Sequence, residues 1–156
     1  MNIRRAEDKD ITKILELLVQ VCNVHARLRP DLFIMNGTKY SEDDLKEIIR
    51  DDKRPIFVAT DENDSLIGYC FCEYKEPASS RCIKPFSQIY IDDLCVDESA
   101  RGKHVGKQLF DYVKEEAKKM GCYEVTLNVW EGNDSAKAFY DRMGMKPKET
   151  MMEFIL

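Results

Sequence analysis

Apolar residues along this chain switch between two spacings, and the switches outline its elements. Residues 3–6 form a short strand, after which Ile11, Ile14, Leu15, Leu18, Val19 and Cys22 recur at helical spacing behind Asp8. Arg29-Pro30-Asp31 ends that helix, because proline disfavours helical backbone in the residue before it. Ser41 is placed to cap a second helix, with Asp44 as its reciprocal partner and Leu45, Ile48 and Ile49 as the apolar face. Strands follow at 56–60 and 66–74, joined by the turn Asp61-Glu62-Asn63-Asp64. The polar, proline-containing stretch 75–84 is expected to be a loop, and 87–96 a fourth strand. Val105, Leu109, Tyr112, Val113, Ala117 and Met120 stripe a helix over about 103–120, stopped by Gly121. A fifth strand is expected at 123–130. Asn133 then caps a helix carrying Ala136, Phe139, Tyr140 and Met143, closed by Gly144, before a last strand at 150–155. The order β-α-α-β-β-β-α-β-α-β describes a mixed-sheet α/β domain with helices on both faces.

One strand breaks its own rhythm. Ile89 and Ile91 share one parity, whereas Leu94 and Val96 take the other. A phase slip at Asp92-Asp93 is what a β-bulge produces, because strand faces otherwise alternate strictly. A central strand apolar on both faces would give the same pattern without a bulge.

Composition narrows the class. The chain has 156 residues, 44% hydrophobic and 34% charged, as expected of one soluble domain spanning 1–156. It has no apolar run of membrane-spanning length, and Asn2, Arg4 and Arg5 stand where a signal peptide would turn apolar. A cytoplasmic location without membrane association is expected. The net charge of −5 argues against a nucleic-acid partner. Six cysteines without a C-x-x-C pair, and two histidines far apart in sequence, argue for reduced thiols and no metal site.

The chemistry concentrates at 94–107, where a strand passes through a tight turn into a helix. Arg101, Lys103 and Lys107 crowd the helix start, and no acid follows until Asp111. Helix dipoles favour the reverse arrangement. Two glycines and a basic first turn imply a bound anion, such as a pyrophosphate, held by exposed amides. A nucleotide-triphosphate loop is excluded, because Arg101 stands where its first glycine is required and Gln108 replaces the hydroxyl residue after Lys107.

The run Arg101-Gly102-Lys103-His104-Val105-Gly106 resembles the coenzyme A motif of the GNAT superfamily of N-acetyltransferases, with His104 where that family most often has glycine. Asn133-x-x-Ala136-x-x-Phe139-Tyr140-x-x-x-Gly144-Met145 is similar to the family's second signature, and 3–11 to its opening strand and helix. The resemblance implies a GNAT-type mixed, mostly antiparallel twisted sheet and an acetyl-CoA cosubstrate without metal. It implies that Arg101, Gly102, Lys103, His104, Val105, Gly106 and Lys107 hold pyrophosphate. Backbone groups of Leu94, Cys95 and Val96 would hold the pantetheine arm beside a kinked fourth strand, with Asn133 and Ala136 contributing to the coenzyme site.

Acetyl transfer to an amine needs a proton acceptor near the nitrogen and a donor for the leaving thiolate. Asp92 matches an acidic base of diamine-type relatives. Asp93, its neighbour, is expected to face the opposite side of the sheet. Tyr140 is the implied acid, although periodicity alone makes it a core residue. Acceptor contacts are sought at His25, Arg27, Arg29, Phe33, Glu73, Tyr90, Asp93 and in the 75–84 loop. The expected reaction acetylates a primary amine of a small molecule, such as a polyamine or aminoglycoside. The alternatives are a protein α-amine or lysine, or a non-catalytic acyl-CoA-binding module. The final strand and methionines 143, 145, 151 and 152 offer a surface for a homodimer, or simply core packing.

Overall fold

A computed structural model describes residues 1–77 and 80–156. Five strands, β1 (Asn2–Arg5), β2 (Ile56–Thr60), β3 (Leu66–Lys75), β4 (Gln88–Val96) and β5 (Glu124–Leu127), form one sheet in sequential order. Neighbours pair antiparallel except β4 and β5, which run parallel. Helices α1 (Ile11–Leu28) and α2 (Glu42–Ile49) cover one face. Helix α3 (Val105–Lys119) covers the other, with Tyr140 and Met143 from about α4 (Asp134–Arg142) packed beside it.

The two apolar layers follow from the alternation along β2 and β3. Val58, Tyr69 and Phe71 point to α1 and α2, where Ile14, Leu17 and Leu45 lose all solvent contact. Phe57, Ala59, Cys70 and Cys72 point to α3 and meet Leu109, Phe110 and Val113. This is why both central strands carry near-continuous apolar runs. The first strand is pinned by charge. Arg4 donates to both carboxylate oxygens of the buried Asp10, at 2.7 and 3.0 Å, and Asp10 also accepts from the Glu7 amide at 2.8 Å.

Helix ends follow the sequence signals. Ser41 Oγ accepts from the Asp44 amide at 3.1 Å while Asp44 accepts from the Ser41 amide at 2.7 Å, closing the expected box. Gly121 sits at φ 70°, and the amides of Gly121 and Cys122 fold back to Lys118 and Ala117, a left-handed stop that glycine accepts freely.

Two expectations need correction. Residues 150–155 form no paired strand, and Met151, Met152, Phe154, Ile155 and Leu156 of this tail are exposed. It is tethered by Glu153 to Arg29 (2.7 Å) and by Lys148 to Glu124. The fifth strand is also shorter than its apolar pattern, ending at Leu127 because β4 diverges from it there.

Candidate active site

The divergence of β4 from β5 creates the site. Their ladder runs from Gln88↔Glu124 to Ile91↔Leu127 and then stops, although β4 continues to Val96 on its β3 side. The cause is a bulge. Phe71 pairs with Asp93 and Cys72 with Ile91, so Asp92 has no partner and the strand bends away. Leu94, Cys95 and Val96 therefore keep an edge towards β5 that no strand occupies.

That open edge leads directly into the cationic turn. Asp97 caps a short 3-10 turn over Glu98–Ala100, and Arg101 to His104 then turn the chain into α3. Gly102 lies at φ 77° and His104 at φ 61°, both left-handed. The substitution of His104 for glycine thus falls where the backbone is strained for a side chain. Gln108 is the first residue of α3 whose amide reaches a carbonyl, that of His104 at 3.1 Å. The preceding amides of Val105, Gly106 and Lys107 are left for a ligand or water. Arg101, Lys103 and Lys107 are exposed around them, Arg101 paired with Glu98 at 3.4 Å and Lys107 with Asp111. Open amides ringed by cations at a helix start suit a pyrophosphate.

Helix α4 closes this corner. Asn133 Oδ1 accepts from the Ala136 amide at 3.3 Å and from Ser135 at 3.2 Å, so its side chain is occupied in capping. The Phe139 ring and the Val96 side chain both lie against Gly106. Tyr140 packs edge-on against Phe110 and Phe139. Burial, followed by the nearby Cys70 and Asp93, raises its phenol and keeps it protonated at neutral pH. Burial likewise pushes the Cys95 thiol up to about 12 and the Cys70 thiol well above its ordinary value. Burial thus keeps both thiols protonated at neutral pH.

The bulge overturns the expectation that Asp92 and Asp93 face opposite ways. Because Asp92 is the extra residue, both carboxylates lie on the α1–α2 side. Lys39 donates to both oxygens of Asp92, at 2.6 and 2.7 Å, and Tyr40 adds a hydroxyl at 2.9 Å. Asp93 accepts from Tyr69 at 2.7 Å. Burial pushes Asp93 up to about 6; the Tyr69 hydrogen bond opposes the rise and the Asp92 charge adds to it. The residues form one continuous group, since Tyr40 stacks on Phe71 and Phe71 meets Tyr69 edge-on.

The residues named as acceptor contacts divide into two groups around this pair. Tyr90 and Glu73 are cross-strand partners on β4 and β3; Lys75 Nζ stands 4.2 Å from the Tyr90 ring centre, and Asn128 donates to the Tyr90 hydroxyl at 3.2 Å. Phe33 lies between His25 and Trp130, at 5.0 and 5.2 Å between ring centres, and Arg29 sits 5.9 Å over Trp130. Burial, aided by the Lys39 charge, lowers His25, favouring a neutral imidazole. Among the described residues, no hydrogen bond or ion pair ties Arg27 to either group. Of the 75–84 loop, residues 78 and 79 lie outside the described residues. Lys39, Tyr40, Tyr69 and Trp130 escaped the sequence reading. Only the sole tryptophan, just beyond a strand end, gave a signal.

Among the described residues, no group of three or more His, Cys, Asp or Glu is placed to hold a metal, and no helix is long and apolar enough to cross a membrane.

Comparison with known proteins bears on family and fold. The family model described as "Acetyltransferase (GNAT) family" matches residues 24–145. Glucosamine 6-phosphate N-acetyltransferase of Arabidopsis thaliana is 38% identical over 63 residues, 40% of this chain and 40% of that protein. The protein of the same name from Trypanosoma brucei brucei is 33% identical over 67 residues, 43% and 44% of the two chains. The match therefore spans less than half the length of either curated relative. A crystal structure of a mutant BH1408 protein from Bacillus halodurans superposes with a TM-score of 0.95 at 29% identity, covering 100% of this chain and 99% of that one. With its family match running through the split sheet, the basic turn and α4, this chain belongs to the GNAT acetyltransferase family.

Proposed function

We propose that the chain is a single-domain, cytoplasmic N-acetyltransferase that moves an acetyl group from acetyl-CoA to a primary amine of a small molecule. The observation that carries this reading is the unpaired edge of β4 opening onto the free amides of α3. An acyl-pantetheine arm needs a row of strand hydrogen-bonding groups, and its pyrophosphate needs a cationic helix start; the two are contiguous here.

In this reading the amides of Val105, Gly106 and Lys107, with Arg101, Gly102, Lys103 and His104, bind the pyrophosphate. Leu94, Cys95 and Val96 bind the arm, and Asn133 and Ala136 flank it. The coenzyme supplies an activated acetyl thioester. Asp92 accepts a proton from the acceptor ammonium, directly or through water. The freed nitrogen attacks the carbonyl carbon, the C–S bond breaks, Tyr140 gives its phenolic proton to the departing sulfur, and the second proton shed by the acylated nitrogen restores the phenol. Asp93, held by Tyr69, adds negative potential beneath the acceptor. Glu73 and Asp92 flanking Tyr90 favour a cationic amine, and Phe33 with Trp130 forms an apolar wall beside them.

Two curated relatives are named for glucosamine 6-phosphate and another is a peptidyl-lysine N-acetyltransferase. An amino sugar phosphate, polyamines, aminoglycosides and lysine peptides therefore make up the acceptor panel. The test is thiol release from acetyl-CoA with that panel, alongside calorimetry with CoA. Turnover on a small amine, lowered about 10²–10⁴-fold in Asp92→Asn and Tyr140→Phe, supports the assignment. Turnover only on peptides makes the chain a protein acetyltransferase. Tight CoA binding without turnover on any amine makes it an acyl-CoA-binding module, and absence of CoA binding refutes the reading. The exposed apolar tail supports a homodimer, checked by comparing the solution mass of the full chain with that of a variant ending at residue 149.

A further inference from the structure

The Lys39 ammonium sits on Asp92, the carboxylate to which the proposed function gives the acceptor amine. Its Nζ bridges both oxygens of Asp92, and Tyr40 donates to the same carboxylate. Asp92 follows Ile91, the last β4 residue paired with β5, so this ammonium stands at the mouth of the split. The Lys39 side chain is 50% exposed, against 22% for Asp92, and no backbone ladder fixes it. Other lysines are engaged elsewhere: Lys107, Lys114, Lys118 and Lys119 pair with carboxylates of α3, and Lys13 with Asp97. Lys75 is the nearest rival, beside Tyr90 and 3.8 Å from Glu73.

We propose that Lys39 is a self-acetylation site, filled from acetyl-CoA when no external amine is present; this rests on the acetyl-transfer reading above. Asp92 takes one proton from the Lys39 ammonium. The nitrogen lone pair forms the C–N bond to the acetyl carbon, the C–S bond breaks, and the thiolate leaves as CoA thiol with a proton from Tyr140; the second proton of the acylated nitrogen restores the Tyr140 phenol, and Asp92 passes its proton to solvent. The net products are N-acetyl-Lys39, CoA and one proton released to solvent. Acetylation removes the Lys39 charge, so the amide no longer pairs with Asp92 and the carboxylate is left open to a cationic acceptor.

The experiment incubates the full chain with acetyl-CoA alone and follows acetyl gain at each lysine by peptide mass spectrometry. Lys39 is expected to be modified at least about tenfold faster than Lys75, because its nitrogen is already positioned. Its rate constant should not change with protein concentration. Asp92→Asn should abolish the preference for Lys39, and Lys39→Arg, which keeps the cation on Asp92, should remove the modification without loss of fold. Equal labelling of Lys39 and Lys75, or undiminished Lys39 labelling in a folded Asp92→Asn protein, overturns the proposal. If the chain binds CoA and acetylates an added amine while Lys39 stays bare, only this inference falls. If calorimetry finds no CoA binding, the underlying reading falls with it.

Discussion

The Phe139 ring rests on Gly106: a β-carbon there would lie 3.4 Å from Phe139 Cζ and 3.5 Å from Val96 Cγ2. One contact thereby joins α4 to the turn that opens α3. An alanine methyl fits at ordinary contact distance, so Gly106→Ala is expected to fold normally. A leucine must push the ring away, at a cost of about 1–3 kcal/mol. Gly106→Leu should lower the melting temperature and weaken CoA binding together, read by thermal melts and calorimetry.

His104 at φ 61° bears left-handed strain of about 1–2 kcal/mol, and glycine would relieve it. The extra freedom glycine gives the unfolded chain offsets about 0.4–1 kcal/mol of that gain. His104→Gly is therefore expected to stabilise by about 0–1.6 kcal/mol. His104→Val, branched at Cβ, should destabilise. Urea unfolding of both variants measures the pair of signs.

Asp10 is 4% exposed and holds Arg4 by two hydrogen bonds. Asp10→Ala would leave the guanidinium with Asp64 at 3.2 Å and the Arg5 carbonyl at 3.0 Å. Breaking such a pair costs about 3–5 kcal/mol, and the surviving Asp64 contact puts this case near the lower figure. A fall in melting temperature of about 6–12 °C is expected for a chain of this size.

Asp93 sets a pH dependence with a defined sign. Its native carboxyl holds a proton up to about pH 6, whereas the unfolded chain releases it below about pH 4. The native state binds more protons between those values, so stability falls as pH rises from about 4 to 6 and is level above. The loss is at most about 3 kcal/mol. Asp93→Asn keeps an acceptor for Tyr69 and removes the ionisation. It should raise stability at pH 7 and leave it unchanged at pH 4, by urea titration at both values.

The sequence carried the helices and the inner strands plainly, because their apolar periods are set by burial on two faces. The parity slip at Asp92-Asp93 is compatible with the observed bulge, but a central strand apolar on both faces gives the same pattern. The bulge's consequence, two adjacent acids on one face, was hidden because alternation was assumed to continue through it. Lys39 and Tyr40 lie in the aperiodic stretch between α1 and α2, and only the chain's return across the sheet brings them to Asp92. The backbone at His104 had no sequence signal beyond its departure from glycine. The tail was misjudged because apolar residues with strand propensity do not pair unless a neighbouring edge is in register.

Where β4 parts from β5, a ladder of four residue pairs joins the last strand to the sheet. Amide protons of β5 should accordingly trade with deuterium well before those of β2 and β3, which are laced on both sides. A ligand seated in that seam would act as a substitute strand, slowing the exchange of Leu94 to Val96 and of β5 in one cooperative step.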